Sequence, residues 1–180
     1  ECVWHLLENA GHPRALLQAR YQARVGVYVG AMYQPYHAFD ADLIRASALA
    51  VSSYYSLANR VSHFFDFQGP SMAIDTACSS ALVAIHMACE SLRQGECRLA
   101  IAGGVNLSIH PKKYLGLSLA QIIGSHAASR SFGDGDGYIP AEGVGAVLLK
   151  PLPQAITDGD TILALIKSSA INHSGHTHGY

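Results

Sequence analysis

The chain has 180 residues, of which 49% are apolar and 14% charged, so it can bury a sizeable core and is not a disordered chain. Twelve Lys and Arg residues balance thirteen Asp and Glu residues, and the net charge of −1 provides no basic field that could hold nucleic acid. The longest apolar runs are far shorter than a bilayer span, so we expect no transmembrane helix and no membrane partner.

The first elements predicted along the chain are a helix, a strand and a second helix. Apolar residues at helical spacing predict a helix over residues 1–10, which Gly11 ends. Residues 24–30 alternate with a period of two and are rich in valine, as in a β-strand. From Ser53 the helical spacing returns and predicts an amphipathic helix that ends before Gly69-Pro70. Its apolar face consists of Tyr54, Leu57, Ala58, Val61, Phe64 and Phe65.

The second half of the chain continues the alternation of strands and helices. Residues 71–75 form a short apolar run that predicts a buried strand, and a helix is predicted over residues 81–94, before Gly95. Three further strands are predicted over residues 99–109, 143–150 and 161–171, the last two joined by a turn at Asp158-Gly159-Asp160. This alternation predicts a layered α/β fold in which helices cover the sheet.

The cysteines and the chain ends indicate the setting of the protein. Cys2, Cys78, Cys89 and Cys97 match no zinc-site spacing and are too few for a disulfide scaffold, so we expect reduced thiols in a cytoplasmic protein. Position 1 carries neither Met nor a signal-peptide pattern, and a helix is already in progress there. The last residues, Gly179-Tyr180, close no predicted element. We therefore expect a segment of a longer protein, truncated at both ends.

Cys78 is the candidate nucleophile. The segment Ile74-Asp75-Thr76-Ala77-Cys78-Ser79-Ser80 is typical of a strand that turns directly into a helix, with the cysteine at the helix start. Unpaired N–H groups and the positive end of the helix dipole stabilise a thiolate at that position and lie where an oxyanion would form. The spacing alone leaves two interpretations about equally open, a nucleophile and a small buried cysteine. The other three cysteines lack this setting and are expected to be packing residues.

Two other motifs resemble metal sites, and both have a plainer interpretation. His173, His176 and His178 lie close together, but their spacing suits a loop and no cysteine or carboxylate is nearby in sequence, so we do not expect a metal site. Residues 133–137, Gly-Asp-Gly-Asp-Gly, lack the later ligands of a calcium loop, including its glutamate. A glycine-rich turn that holds an acidic side chain is the expected structure.

A resemblance to a known family rests on several motifs that occur in order along the chain. The segment Asp75-Thr76-Ala77-Cys78-Ser79-Ser80 is similar to the active-site motif of β-ketoacyl synthases, in the form found in the ketosynthase domains of modular polyketide synthases. Further matches are residues 57–62, 69–71, 102–106, 130–132, 136–138 and 142–152. Residues 110–114 and 171–175 resemble ketosynthases whose modules lack their own acyltransferase. In this sequence Gly133 follows Phe132, where the family commonly has Asp after Phe. This departure affects the expected geometry of the loop and not the expected chemistry.

The resemblance implies a thiolase-like fold, in which two similar α/β halves stack into five layers, α/β/α/β/α. Residues 1–180 would form most of the first half, a partial N-terminal domain without its opening strand. The implied reaction is a decarboxylative Claisen condensation. An acyl chain moves from an acyl carrier protein onto Cys78 as a thioester, and a malonyl unit on a second carrier loses carbon dioxide and attacks it. Such transient acylation needs a thiolate and an oxyanion site and no metal.

The resemblance also implies further site residues. Phe132 is similar to the aromatic residue that lines the acyl pocket, although a core phenylalanine is equally open from the residues alone. Ala77 directly precedes Cys78, so we expect it to lie near the thioester carbonyl and to affect which acyl chains are accepted. The two catalytic histidines of the family lie in motifs that do not occur in this sequence, and we expect them after Tyr180.

The resemblance also implies how the substrates are delivered and which proteins are partners. No intrinsic cofactor is expected, because phosphopantetheine on the acyl carrier protein delivers the substrates. The expected partners are that carrier, the other polyketide synthase domains and a second copy in a homodimer. Two other functions are open: Cys-dependent acyl transfer or hydrolysis without chain elongation, and a non-catalytic subunit that binds chains or carrier proteins. Retention of Cys78 disfavours the second, whose members often replace the nucleophile.

Overall fold

The structure is a computed structural model that describes residues 1–33 and 53–176. In these two ranges the chain forms ten regular elements. The helices are α1 (Cys2–Asn9), α2 (Arg14–Tyr21), α3 (Tyr55–Phe65), α4 (Ser80–Gln94), α5 (Pro111–Leu119) and α6 (Leu152–Asp158). The strands are β1 (Val25–Gly30), β2 (Ser71–Ile74), β3 (Leu99–Asn106) and β4 (Gly143–Leu149). Among the described residues, no helix has the length and apolar character needed to cross a bilayer.

The four strands form one mixed sheet in the order β2-β1-β3-β4. β1 runs parallel to both of its neighbours, and β4 runs antiparallel to β3. In this register Gly30, the last residue of β1, lies opposite Ile74 of β2 and Gly104 of β3. The carboxyl ends of the three parallel strands therefore meet at one edge of the sheet, and the turn that leads into α4 starts from this edge.

Alternating side chains build a separate core on each face of the sheet. Val25 and Val27 of β1 pack with Leu99 and Ile101 of β3 against residues of α1, α2 and α3. The opposite face carries Tyr28, Ala100 and Ala102, which pack against Ala84 and Ala88 of α4. The small alanines let α4 lie close to β1 and β3. The predicted layered α/β fold is confirmed, with helices on both faces of the sheet.

Most of the predicted elements are confirmed within one to three residues. The strand predicted over 99–109 ends three residues early, at Asn106, and the main exception is the predicted strand over 161–171. The prediction of a strand over 161–171 is wrong, because these residues have no regular secondary structure and are mostly exposed. Asp158-Gly159-Asp160 does not join two strands: Gly159, with a φ of 73°, ends α6. The apolar run over 161–171 has the residue types that favour a strand, but a strand also needs a neighbouring strand to pair with. In the described part of the chain, β4 pairs with β3 alone.

Candidate active site

Cys78 lies in a tight turn between β2 and α4. The strand ends at Ile74, and α4 begins at Ser80 with Ser79 as its N-cap residue, so the cysteine stands one residue before the cap. Its side chain is exposed, which overturns the alternative of a small buried cysteine. Ala77, the residue before it, has a φ of 54°, a left-handed conformation that is uncommon for a residue with a Cβ. This turn presents the thiol outward at the amino end of a helix.

Four hydrogen bonds between side chains and the backbone hold this turn in place. The Ala77 N–H donates to Asp75 Oδ1 at 3.0 Å, and the Thr76 N–H donates to Ser80 Oγ at 2.9 Å. Ser80 Oγ in turn donates to the Ala77 carbonyl at 2.5 Å, and Ser79 Oγ donates to the Thr76 carbonyl at 2.7 Å. The side chains that flank Cys78 therefore satisfy the turn backbone and stabilise the left-handed residue. This explains why polar residues surround the cysteine in the sequence motif.

Tyr33 and Tyr138 are two tyrosines that sequence reasoning did not single out. Burial raises the pKa of the Tyr138 phenol, and the negative charges of Tyr33 and Cys78 raise that pKa further. Tyr33 follows β1, and Tyr138 belongs to the loop that precedes β4. Sequence reasoning missed them because only the sheet topology brings these segments together. Their one common signal is that each follows or precedes a predicted strand.

Phe132 is fully exposed and has a φ of 62°, so the interpretation as a core phenylalanine is wrong. Its role as a wall of the acyl pocket stays a prediction. In the adjoining glycine-rich turn, Asp136 accepts a hydrogen bond from the Ser125 N–H at 3.1 Å and another from the Ser125 hydroxyl. These hydrogen bonds lower the pKa of Asp136. The turn thus holds an acidic side chain, as predicted.

Cys89 and Cys97 lack the exposed setting of Cys78. Cys97 is only 3% exposed and Cys89 is half-buried, and burial raises the pKa of both thiols, as suits packing residues. His173 accepts a hydrogen bond at Nδ1 from the Gly175 N–H at 2.9 Å. His178 and the end of that motif lie outside the described residues. Within residues 1–33 and 53–176, no group of three or more metal-binding side chains comes together.

Comparisons with known proteins identify the family. Residues 1–155 match the family described as beta-ketoacyl synthase, N-terminal domain. The chain is 53% identical over its full length to polyketide synthase PksL and 51% identical over 97% of its length to polyketide synthase PksR, both of Bacillus subtilis. It covers only 4% and 7% of those proteins.

Solved structures agree with the sequence relatives. The oxazolomycin ketosynthase domain OzmH KS7 of Streptomyces albus superposes on 98% of the chain with a TM-score of 0.91 and 52% identity. A ketosynthase from module 6 of the bacillaene synthase of Bacillus subtilis matches 96% of the chain with a TM-score of 0.82 and 33% identity. The chain spans 32% and 29% of those two structures. The chain therefore belongs to the β-ketoacyl synthase family and has the thiolase-like α/β fold of polyketide ketosynthase domains.

Proposed function

We propose that the chain is part of the N-terminal half of a polyketide ketosynthase that forms carbon–carbon bonds through Cys78. The observation that carries the proposal is the exposed thiol on a hydrogen-bonded turn at the amino end of α4, in a chain of this family. A ketosynthase of the type that lacks an integrated acyltransferase is the proposed subtype, on the resemblance of residues 110–114 and 171–175.

The proposed chemistry has two stages at one sulfur. The Cys78 thiolate attacks the thioester carbonyl of a carrier-bound acyl chain, and the tetrahedral oxyanion collapses with loss of the carrier thiolate. A malonyl thioester on a second carrier then loses carbon dioxide, and the resulting enolate attacks the carbonyl of the Cys78 thioester. The new carbon–carbon bond forms as the carbon–sulfur bond to Cys78 breaks, which returns the free thiolate. Backbone N–H groups at the amino end of α4 are the proposed oxyanion donors.

The proposal assigns the remaining roles by family. Ala77 and Phe132 would contact the acyl chain, and two histidines outside these 180 residues would handle the proton and the oxyanion during decarboxylation. Acyl carrier protein with its phosphopantetheine arm would deliver both substrates. Other polyketide synthase domains and a second copy of the ketosynthase would be the protein partners, in the cytoplasm.

Acyl loading of Cys78 tests the first stage. We would incubate the complete ketosynthase domain that carries this chain with an S-acyl N-acetylcysteamine thioester and measure the intact mass. One acyl group should be added to the parent and to a Cys89→Ala control, and none to Cys78→Ala. Acylation of Cys78→Ala at the parental rate would contradict the assignment of the nucleophile.

Addition of malonyl-loaded carrier protein tests the second stage. The acylated parent should release a chain extended by two carbons as a β-ketoacyl thioester on the carrier, with loss of carbon dioxide. Hydrolysis or simple transfer of the acyl group without extension would favour the non-elongating alternative.

A further inference from the structure

Ser80 is a buried serine whose hydroxyl joins two points of the turn that carries Cys78. It is the first residue of α4 and is only 4% exposed. Its Oγ accepts a hydrogen bond from the Thr76 N–H at 2.9 Å and donates one to the Ala77 carbonyl at 2.5 Å. The Ser80 N–H donates to the same carbonyl at 3.2 Å. The start of α4 therefore holds the Ala77 carbonyl with two donors, both from Ser80.

The Ala77 carbonyl and the Cys78 N–H belong to one peptide group. A trans peptide group is planar, so its C=O and N–H bonds point in opposite directions. Because Ser80 holds the carbonyl toward the start of α4, the Cys78 N–H points away from Ser80. Within residues 1–33 and 53–176, this N–H donates to no protein acceptor. The turn thus leaves a free donor on the residue that carries the exposed thiol, and Ser80 sets the direction of that donor.

The other polar side chains of the turn hold a different peptide group. Asp75 Oδ1 accepts a hydrogen bond from the Ala77 N–H at 3.0 Å, and Ser79 Oγ donates to the Thr76 carbonyl at 2.7 Å. This N–H and this carbonyl belong to the peptide group that precedes the one of the nucleophile. Among these side chains, Ser80 alone therefore determines how the peptide group of the nucleophile is turned.

We infer that Ser80 is a positioning residue that fixes the direction of the Cys78 N–H and so aligns this donor with the oxyanion that forms when the Cys78 thiolate attacks a thioester carbonyl. The inference deepens the proposed function and rests on it for the statement that the substrate is an acyl thioester. The orientation of the peptide group is a matter of geometry and can be tested without acyl transfer.

Two reactions of the same sulfur provide the direct test. Attack on a thioester moves negative charge onto the carbonyl oxygen before the thiolate leaves, whereas iodoacetamide loses iodide from a saturated carbon and forms no oxyanion. We would measure both rate constants in the complete ketosynthase domain, with an S-acyl N-acetylcysteamine thioester as the acyl donor. Ser80→Ala should lower the ratio of acylation to alkylation at Cys78 roughly 10- to 100-fold, since removal of an oxyanion donor outright costs about 10²- to 10³-fold.

Two control variants separate this role from a general loss of structure. Ser91, on the same helix, is 5% exposed and donates to Glu96 Oε2 at 2.7 Å, so Ser91→Ala removes a comparably buried hydroxyl away from the turn. Ser91→Ala should leave the ratio unchanged. Ser79→Ala releases the preceding peptide group and should change the ratio less than Ser80→Ala does.

Ser80→Cys is a second variant that keeps the approximate size of the side chain. A thiol is a weaker donor than a hydroxyl, so the ratio should fall in the same direction but by less. Fragmentation of the modified peptide assigns each label to residue 78 or residue 80. If Ser80→Ala does not fold, Ser80→Cys decides. An unchanged ratio in the folded variants, or equal slowing of both reactions, would overturn the inference.

Crystal structures of the parent domain and the folded variant distinguish the two proposals. In the variant, the Ala77 carbonyl should turn away from residue 80 or adopt two orientations. If the parent takes up no acyl group, the proposed function fails and this orientation decides the inference. If the parent is acylated while the ratio and the orientation stay parental in the variants, the inference fails and the proposed function stands.

Discussion

Gly30 at the end of β1 packs directly against the backbone of Ala81 in the first turn of α4. A Cβ at position 30 would lie 2.5 Å from the Ala81 nitrogen and 2.5 Å from the Ser80 carbonyl carbon. Gly104 of β3 lies beside it, where a Cβ would come within 2.9 Å of Ala81 Cβ. The two glycines allow the amino end of α4 to rest on the sheet, three residues after the nucleophile.

This contact predicts that Gly30→Ala moves the turn that carries Cys78. The added methyl meets backbone that has no room to yield, so we expect a loss of about 1–3 kcal/mol in the free energy of unfolding. Slower alkylation of Cys78 should accompany that loss. Gly143→Ala is the matched control, because a Cβ at position 143 meets nothing within 4 Å. Urea unfolding and iodoacetamide kinetics measure both effects, and equal behaviour of the two variants would contradict this explanation.

Cys78 should be the most reactive thiol of the chain. It is exposed and lies before a helix amino end, whereas Cys97 is buried and burial raises the pKa of the Cys89 and Cys97 thiols. Iodoacetamide at neutral pH, followed by peptide mapping, should modify Cys78 at least about tenfold faster than either of them. Dominant labelling at Cys2, Cys89 or Cys97 with Cys78 unmodified would refute the assignment.

A buried charged cluster predicts how stability depends on pH. His12, 4% exposed, places Nε2 3.4 Å from Asp160 Oδ1, in a cluster with Lys150, Asp158 and Arg20. Burial lowers the pKa of His12, more than the nearby carboxylates raise it. The unfolded chain therefore binds a proton at His12 before the folded chain does, and stability is lost as the pH falls below the ordinary histidine value of about 6.5.

The free energy of unfolding falls by at most ~1.4 kcal/mol per pH unit through His12 alone. His12→Gln should remove that part of the slope, and His5→Gln, at an exposed position, should not. Below about pH 4 a second loss should appear in both variants, since hydrogen bonds from Lys150 and Tyr21 lower the pKa of Asp158 and the unfolded chain therefore takes up a proton at this carboxylate before the folded chain does. Chemical denaturation at a series of pH values gives these slopes. The same slope near pH 6 in parent and His12→Gln would show that another group titrates.

The sequence motif around Cys78 was informative because the turn is a local structure. Strand, polar turn residues and helix are contiguous, and the hydrogen bonds that hold the turn join residues at most four positions apart. The contact between Lys113 and Tyr33, in which the Lys113 Nζ lies 5.0 Å from the centre of the Tyr33 ring, is different, since 80 residues separate the two in sequence. Periodicity carries no information about such pairing.

Among the elements, helix α5 has a recognisable sequence signal at its amino end. His110 caps the helix by accepting a hydrogen bond from the Lys112 N–H, and Pro111 occupies its first turn. The prediction of a strand over residues 161–171 was wrong for a different reason. The apolar run has a preference for β-structure, but within the residues that the structure describes no neighbouring strand pairs with it. Local chemistry thus predicted the nucleophile, whereas contacts between distant segments of the chain require knowledge of the fold.

The 180-residue chain alone should not condense acyl units. The histidines that would support decarboxylation are not in this sequence, and without them no group is expected to replace their oxyanion contact. The isolated chain should also be marginally stable, since Trp4, Phe64 and Val144 are exposed around an apolar cleft of about 640 Å³ between α1, α3 and the sheet. It should bind an apolar dye such as anilinonaphthalene sulfonate more strongly than the complete domain. Carbon–carbon bond formation by these residues alone would refute the first expectation.

Ala77 should determine how well Cys78 accepts branched acyl chains. The residue already has a left-handed φ of 54°, so a change to Met adds bulk beside the thiol without demanding a new backbone conformation. In the complete domain, Ala77→Met should slow acylation by α- or β-branched thioesters relative to unbranched ones by roughly 10- to 200-fold, or ~1–3 kcal/mol. Ala128→Met, at an exposed loop position, is the control for the added side chain itself. If Ala77 only supports the turn, Met would depress both substrates alike, and an unchanged ratio between a matched branched and unbranched pair would leave the residue with a packing role alone.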